Sequence, residues 1–239
     1  MSWERFYYGW LLVLIGCLVI VDGLSSSSSS LLSSTYCVNL KCVVKPERTN
    51  EFLSLIRSNQ YKTLHDEQKS LQYTVGSDGT ATTFFLHEQF INANGFEEHR
   101  KAPHNADWQN FKSTQPFIGT PITFFYHSIN AHSTGEKILP SSKLHYCIDA
   151  QITYCNNNNN RNDILTPLLS RETTTTTSDD LIQSVWGESI DDPNIILLHQ
   201  EYTSSPQNNK DLEQKLDELS KQGHLKVVCI DYYETIPSN

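Results

Sequence analysis

No cluster of lysine and arginine occurs anywhere in the 239 residues, where 18 basic side chains stand against 27 acidic ones for a formal charge of −9. Phosphate backbones demand a basic face, so a nucleic-acid partner is not expected. Cysteine pairs at CxxC spacing are absent too. There are six cysteines: Cys17 lies near the start, and Cys37, Cys42, Cys147, Cys155 and Cys229 are an odd remainder. That pattern excludes a disulfide framework and a zinc ribbon; a single disulfide in an oxidising compartment stays open, with no pair singled out. No Asn-x-Ser/Thr acceptor for glycans is present. Long apolar runs are equally scarce. The one example, residues 10–21, is broken only by Gly16, and about 12 residues suits a signal-peptide core while falling short of the roughly 20 of a membrane span. Glu4 offsets Arg5 in the charged start, and Val21 and Gly23 suit the small positions before a cleavage site. Residues 1–24 are therefore read as a signal peptide or a membrane anchor. The destination is the secretory pathway or the exterior, with sorting to an organelle left open, and membrane contact is expected only if the segment stays uncleaved.

Homopolymer tracts punctuate the rest of the chain: serine at 25–30, asparagine at 156–160 and threonine at 173–177. Such tracts bury no apolar surface and read as linker or loop. Residues 25–34 are taken as a linker. Between them and a second linker at 130–143, which contains Gly135 and Pro140, lies a first unit at 35–129. Its elements run strand (36–44), helix opened by Pro46 with Phe52, Leu55, Ile56 and Leu64 as an apolar stripe, and strand with Leu71, Tyr73 and Val75 alternating. A turn at 76–79, a strand at 84–90, helix at 95–112 broken by Pro103, and a closing strand at 122–129 complete it. The order β-α-β-β-α-β is ferredoxin-like. Residues 144–236 repeat the order. Tyr146-Cys147-Ile148-Asp149 echoes Tyr36-Cys37-Val38-Asn39, and Leu197-Leu198-His199-Gln200-Glu201-Tyr202 echoes Phe85-Leu86-His87-Glu88-Gln89-Phe90. Gln183 and Gly187 sit as Gln72 and Gly76 do, a short helix is expected around Ile164, Leu165, Leu168 and Leu169, and another carries Leu212, Leu216 and Leu219. Matches in the same order mark a duplication. A four-stranded sheet with helices on one face must bury its other face. The expected fold is α+β: two ferredoxin-like βαββαβ units packed sheet to sheet as an α/β barrel, a monomeric pseudo-dimer.

Strand parity sorts the polar residues. Phe84, Leu86, Glu88 and Phe90 share a face, which sets a carboxylate among apolar side chains. Burial raises such a carboxylate's pKa unless it is paired, which suits a general base and equally a structural hydrogen bond. Cys37, Asn39 and Lys41 share one side of the first strand, a polar row able to line a cavity, and Cys147, Asp149 and Gln151 keep the same parity. Asn39 can polarise a bound oxygen or bond a loop backbone. Pro103 restarts the second helix, leaving His104 near a fresh helix N-terminus with His99 just before the break. Imidazoles placed there are candidates for acid, base or ligand. They are not spaced i,i+4, so a metal site on one helix face is not expected. Trp108 reads as core or as a wall for a stacked ring. With Tyr73, Phe84 and Phe90 it forms the aromatic set that could line a ligand pocket.

The series Phe84-Phe85-Leu86-His87-Glu88-Gln89-Phe90, then His99, then Pro103-His104, resembles the antibiotic biosynthesis monooxygenase domain family, as does the Cys42-Val43-Val44-Lys45-Pro46-Glu47 passage from strand to helix. The resemblance covers residues 36–129. The second unit follows the family only in outline: Gln200 stands where Glu88 stands and no histidine pair follows it, so that copy is read as degenerate. The resemblance implies a dimeric α/β barrel with a pocket between sheet and helices. It also implies a cofactor-independent monooxygenase acting on a small hydroxyaromatic or quinol. His104 or His99 would be the base, Asn39 the oxyanion partner, and Glu88 the group that orients a histidine. Haem-degrading members carry a tryptophan that this sequence does not match near Phe96, which speaks against haem, and no cofactor is expected. A protein that binds a small hydrophobic or aromatic molecule without turning it over, or a purely structural domain, are the competing readings.

Overall fold

The computed structural model describes residues 34–129, 137–154, 181–203, 210–223 and 225–237. The leader, the serine tract, residues 130–136 of the inter-unit linker, the asparagine and threonine tracts and the short helix expected at 164–169 lie outside the described residues.

The first unit follows the expected order: β1 (Tyr36–Val43), α1 (Thr49–Asp66), β2 (Ser70–Ser77), β3 (Thr83–Phe90), α2 (Ala93–Lys101), α3 (Asn105–Ser113) and β4 (Ile122–Ser128). A short 3₁₀ turn, Pro46–Arg48, leads into α1, with proline where its missing N–H loses nothing. Buried Phe52, Ile56, Asn59, Gln60, Thr63 and Leu64 then fall along one side of α1. The Asn92 side chain caps α2 by accepting from the Gly95 N–H at 3.0 Å. Ala102 turns extended (ψ 141°) before Pro103, as the residue ahead of proline must, and so ends α2 shortly after His99. The second unit contributes β5 (Tyr146–Tyr154), β6 (Leu181–Ser189), β7 (Ile195–Tyr202), α4 (Lys210–Lys221) and β8 (Leu225–Thr235).

The eight strands close into a barrel in the order β1-β3-β2-β8-β5-β7-β6-β4. Each unit supplies a four-stranded antiparallel sheet. Two short antiparallel seams join them: Gly76 opposite Thr235 and Ser77 opposite Glu234 on one side, and Tyr126 to Ser128 opposite Gly187 to Ser189 on the other. The sheets thus bury their bare faces against each other and their outer edges also pair, so that closure removes the free edges. Both units carry the same irregularity, with the register shifting between Ser70 and Gln72 in β2 and between Leu181 and Gln183 in β6.

Apolar cores lie outside the barrel wall, beneath the helices. In the first unit Phe52, Ile56, Leu64, Val75, Phe84 and Leu86 pack together. In the second, Leu216 of α4 packs against Ile148, Trp186, Ile196 and Leu225. Among the described residues no helix is long and apolar enough to cross a membrane. Cys37, Cys42, Cys147 and Cys229 are free thiols.

Candidate functional site

Every strand of the first sheet looks two ways, and the pairing register decides which residues look where. Val38 stands opposite Glu88, and Asn39 opposite His87. Glu88, Phe84, Leu86 and Phe90 therefore face the helices, while Asn39, His87, Phe85 and Gln89 face the barrel interior. The expectation that His104, His99, Glu88 and Asn39 form one catalytic set is corrected by this register: three of them meet on the helix side, and Asn39 lies across the sheet.

On the helix side the organising residue is Glu67, at the end of α1, which the sequence did not single out. Its Oε1 accepts from His99 Nδ1 at 2.9 Å and lies 2.9 Å from His104 Nε2. Thr63 Oγ1 stands 3.4 Å and 3.3 Å from the same two nitrogens. His99 turns its Nε2 toward Glu88 Oε2, 3.8 Å away. Burial works against an imidazolium at His99, but the Glu67 hydrogen bond and the charges of Glu88 and Glu67 outweigh it and raise its pKa. At His104 burial prevails over Glu67, helped by the neighbouring His99, and the pKa falls. Burial pushes the Glu88 carboxyl up, with His99 opposing. Two histidines 5.8 Å apart between ring centroids are thus shifted in opposite directions. The cluster is largely buried: the side chains of Glu67 and Glu88 are 14% and 13% exposed, and those of His104 and His99 7% and 5%.

The aromatic candidates divide. Phe90 and Tyr73 stand 5.4 Å and 6.4 Å from the His99 ring. The Tyr73 hydroxyl accepts from Asn59 Nδ2 at 3.2 Å. Phe84 and Trp108 instead pack around Phe52, at 4.6 Å and 6.2 Å. The pocket expected between sheet and helices is occupied by side chains: Phe52, Ile56, Tyr73, Val75, Phe84 and Leu86 are each at most 3% exposed. Large rings fill that space because all of them sit on the same strand parity and helix stripe.

The barrel interior holds a second polar constellation. His87 Nδ1 is 2.7 Å from Asn39 Oδ1, and His199 Nδ1 is 2.8 Å from Asp149 Oδ1. The two imidazoles stack on each other at 3.8 Å and 7°, fully buried. Tyr126 reaches Asn39 and Tyr233 reaches His199 from equivalent strands of the two units. Gln72 donates to Glu201 and Gln183 donates to Gln89, a matched pair of bonds between the units. Both Nε2 atoms of the stacked pair are buried without a partner. Burial holds the His87 pKa well below the ordinary 6.5, and His199 adds to the effect. The duplicated His in the two matching strand segments was the available signal for this pair. Glu67 left none, because it lies in a turn outside any periodic pattern.

Two groups of side chains bring one potential ligand atom each to within 4.8 Å: Glu67, His99 and His104, and Cys147, His199 and Glu201. Helical spacing argued against the first, but Pro103 breaks the helix between its histidines and Glu67 comes from another element. In the structure Glu67 already satisfies these imidazoles by hydrogen bonding.

A cavity of about 150 Å³ opens at one end of the barrel, with Asn39, Phe85, Phe124, Asp149 and Leu197 among its walls.

Residues 35–110 match the antibiotic biosynthesis monooxygenase family. No curated protein matches the chain in sequence. Among solved structures, a candidate monooxygenase from Fusobacterium nucleatum subsp. nucleatum is 12% identical with a TM-score of 0.63, over 87% of this chain and 94% of that one. One from Lactobacillus acidophilus NCFM is 13% identical with a TM-score of 0.59, over 86% and 95%. An anthrone oxidase-like protein is 9% identical with a TM-score of 0.54, over 85% and 92%. At these identities the likeness is one of fold, and it extends over both units.

Proposed function

We propose that the chain, whose residues 35–110 match the antibiotic biosynthesis monooxygenase family, oxygenates a small hydroxyaromatic or quinol-type molecule without a resident cofactor. The observation that carries this reading is the Glu67-centred cluster, which brings two imidazoles with oppositely shifted pKa onto one carboxylate oxygen. A base near neutrality must be unprotonated to work, and His104, with its lowered pKa, meets that condition. Glu67 fixes its ring. The substrate hydroxyl passes its proton to His104, and the anion left behind is stabilised by His99, whose charged form Glu67 and Glu88 favour against burial. The electron-rich anion then reduces O₂. One oxygen atom enters the substrate and the other leaves as water, with both hydrogens and both electrons drawn from the substrate. Glu88 acts through His99 as a positioning residue. The proposed roles thus go to His104 as base, His99 as charge stabiliser and Glu67 as anchor, while Asn39 takes no part at this site. Oxygen uptake with a panel of quinols is the test. Replacing His104 by Ala should lower turnover by about a hundredfold or more, the usual weight of a general base; unchanged turnover on every accepted quinol rejects the role.

A second reading draws on the tight packing beneath the helices. With the space between sheet and helices filled, the first unit would serve as a structural domain. A protein of this kind gives no oxygen uptake with any quinol, and quinols move neither the His99 nor the His104 signals in an NMR titration.

A further inference from the structure

The barrel mouth is a separate place from the Glu67 cluster, on the opposite face of the first sheet. We propose that it is a binding site for a neutral, single-ring hydroxyaromatic molecule. Its volume of about 150 Å³ matches that of apolar protein cavities that take up benzene. The walls are Phe85 and Phe124 from the first unit and Leu197 from the second, with Ile122 at the rim. Flat rings and branched aliphatics of this kind suit a flat apolar guest. The mouth is open: Ile122 is 51% exposed, and the Lys41 side chain is 37% exposed.

Polar chemistry in the cavity is sparse and specific. Lys41 and Asp231, both in the wall, pair with each other and cancel. Deeper in the strands, Asn39 and Asp149 offer one amide and one carboxylate from equivalent positions of the two units. The Asn39 Oδ1 is already engaged by His87 and Tyr126, so its remaining function is the amide donor. Asp149 already accepts from His199 through Oδ1, and a carboxylate keeps acceptor capacity beyond that bond. A hydroxyl both donates and accepts, and is the smallest group that satisfies such a pair together. An anionic guest would bring its charge beside Asp149, in a cavity whose lysine is already paired, and burying it so would be costly. An unsubstituted hydrocarbon leaves the amide donor unmet.

The site arises from the duplication itself, because its polar pair is made of one residue from each copy. It does not depend on the oxygenase reading. Loss of quinol turnover in the His104→Ala chain tests that reading alone and leaves phenol binding at the barrel mouth intact.

Calorimetric titration of the purified full-length chain with phenol, toluene and benzoate is the direct test. Phenol should bind one to one with a dissociation constant below about 1 mM, and toluene and benzoate at least about tenfold more weakly. Ile122→Trp, at an exposed rim position, should weaken phenol binding by about tenfold or more while the melting temperature holds. NMR shifts on phenol addition give a reading that needs no variant: the Phe85 and Phe124 ring signals should move, and those of His99 and His104 should not. The proposal is overturned by the absence of saturable phenol binding, by binding that the rim tryptophan leaves unchanged, or by shifts confined to the two histidines.

Discussion

Histidine meets opposite fates in the two faces of one sheet. Against burial, Glu67 and Glu88 favour the charged form of His99, so its folded pKa lies above the ordinary 6.5. Its contribution to stability is complete below that ordinary value and is lost as pH rises through the folded value. Replacing Glu67 by Gln removes the shared acceptor, so the His99 imidazole should titrate at lower pH in an NMR titration, and its alkaline loss of stability should shrink. An unmoved titration would show that Glu67 does not control the cluster. His87 runs the other way. Its folded pKa is depressed, so its contribution is complete above 6.5 and is lost as pH falls toward the folded value, where the buried ring must charge. His87→Phe keeps a ring stacked on His199 and deletes the proton site. The variant should be less stable at pH 7 by about 1–3 kcal/mol, because Asn39 loses the shorter of its two hydrogen bonds and keeps only that from Tyr126. Its stability should nonetheless fall less steeply between pH 6.5 and 5, by up to about 1.4 kcal/mol per pH unit. Denaturant midpoints across that range measure both effects; an acid limb as steep as in the parent chain would assign the titration to another group.

Where strands meet, glycine decides. A Cβ on Gly187 would land on the His127 carbonyl oxygen, across the seam between β4 and β6, and one on Gly76 would lie 2.7 Å from the Glu234 oxygen across the other seam. Both obstacles include backbone, which cannot swing aside. Gly187→Ala should therefore cost about 1–3 kcal/mol by forcing the seam apart, which for a chain of this size means a fall in melting temperature of roughly 2–4 °C for each kcal/mol. Calorimetry that finds no fall would mean the seam yields freely. The two glycines also show how far pattern alone reaches. Gly76 and Gly187 were recognisable as equivalent positions in the repeat, and the strands, the Pro103 break and the β-α-β-β-α-β order came from alternation, helical spacing and proline chemistry. Pairing register did not. Parity says that Asn39 shares a side with Cys37 and that Glu88 shares a side with Phe84, but a one-residue slip between β1 and β3 would exchange their faces. Only the alignment of Val38 with Glu88 separates Asn39 from the histidines. Glu67 escaped because a single carboxylate in a turn carries no periodic signal.

The two units are equivalent in backbone and unequal in chemistry. Asp149 replaces Asn39 and Glu201 replaces Gln89 inside the barrel, while Gln200 replaces Glu88 beneath the helices. The first copy keeps its ionisable cluster outside the barrel and the second places its carboxylates within, so each has given up what the other retains. Such divergence requires that the copies stay joined, since two identical chains could not place Asn39 and Asp149 opposite each other. The seams satisfy this within one chain, and light scattering should return the mass of a single chain. The C-terminal strand is the decisive element. β8 bridges β2 and β5 and stacks Tyr233 on Phe85 at 4.5 Å and 5°, with its hydroxyl 3.3 Å from His199. A chain ending before Leu225 would expose the free edges of β2 and β5 and leave Phe85 and the stacked histidines open to water. Unpaired edges recruit one another, so this truncated chain should elute as dimers or larger assemblies and melt at a lower temperature. A truncated chain that stays monomeric and keeps its melting temperature would mean that the barrel does not need its eighth strand, and that the two sheets hold together through the β4–β6 seam and their buried faces alone.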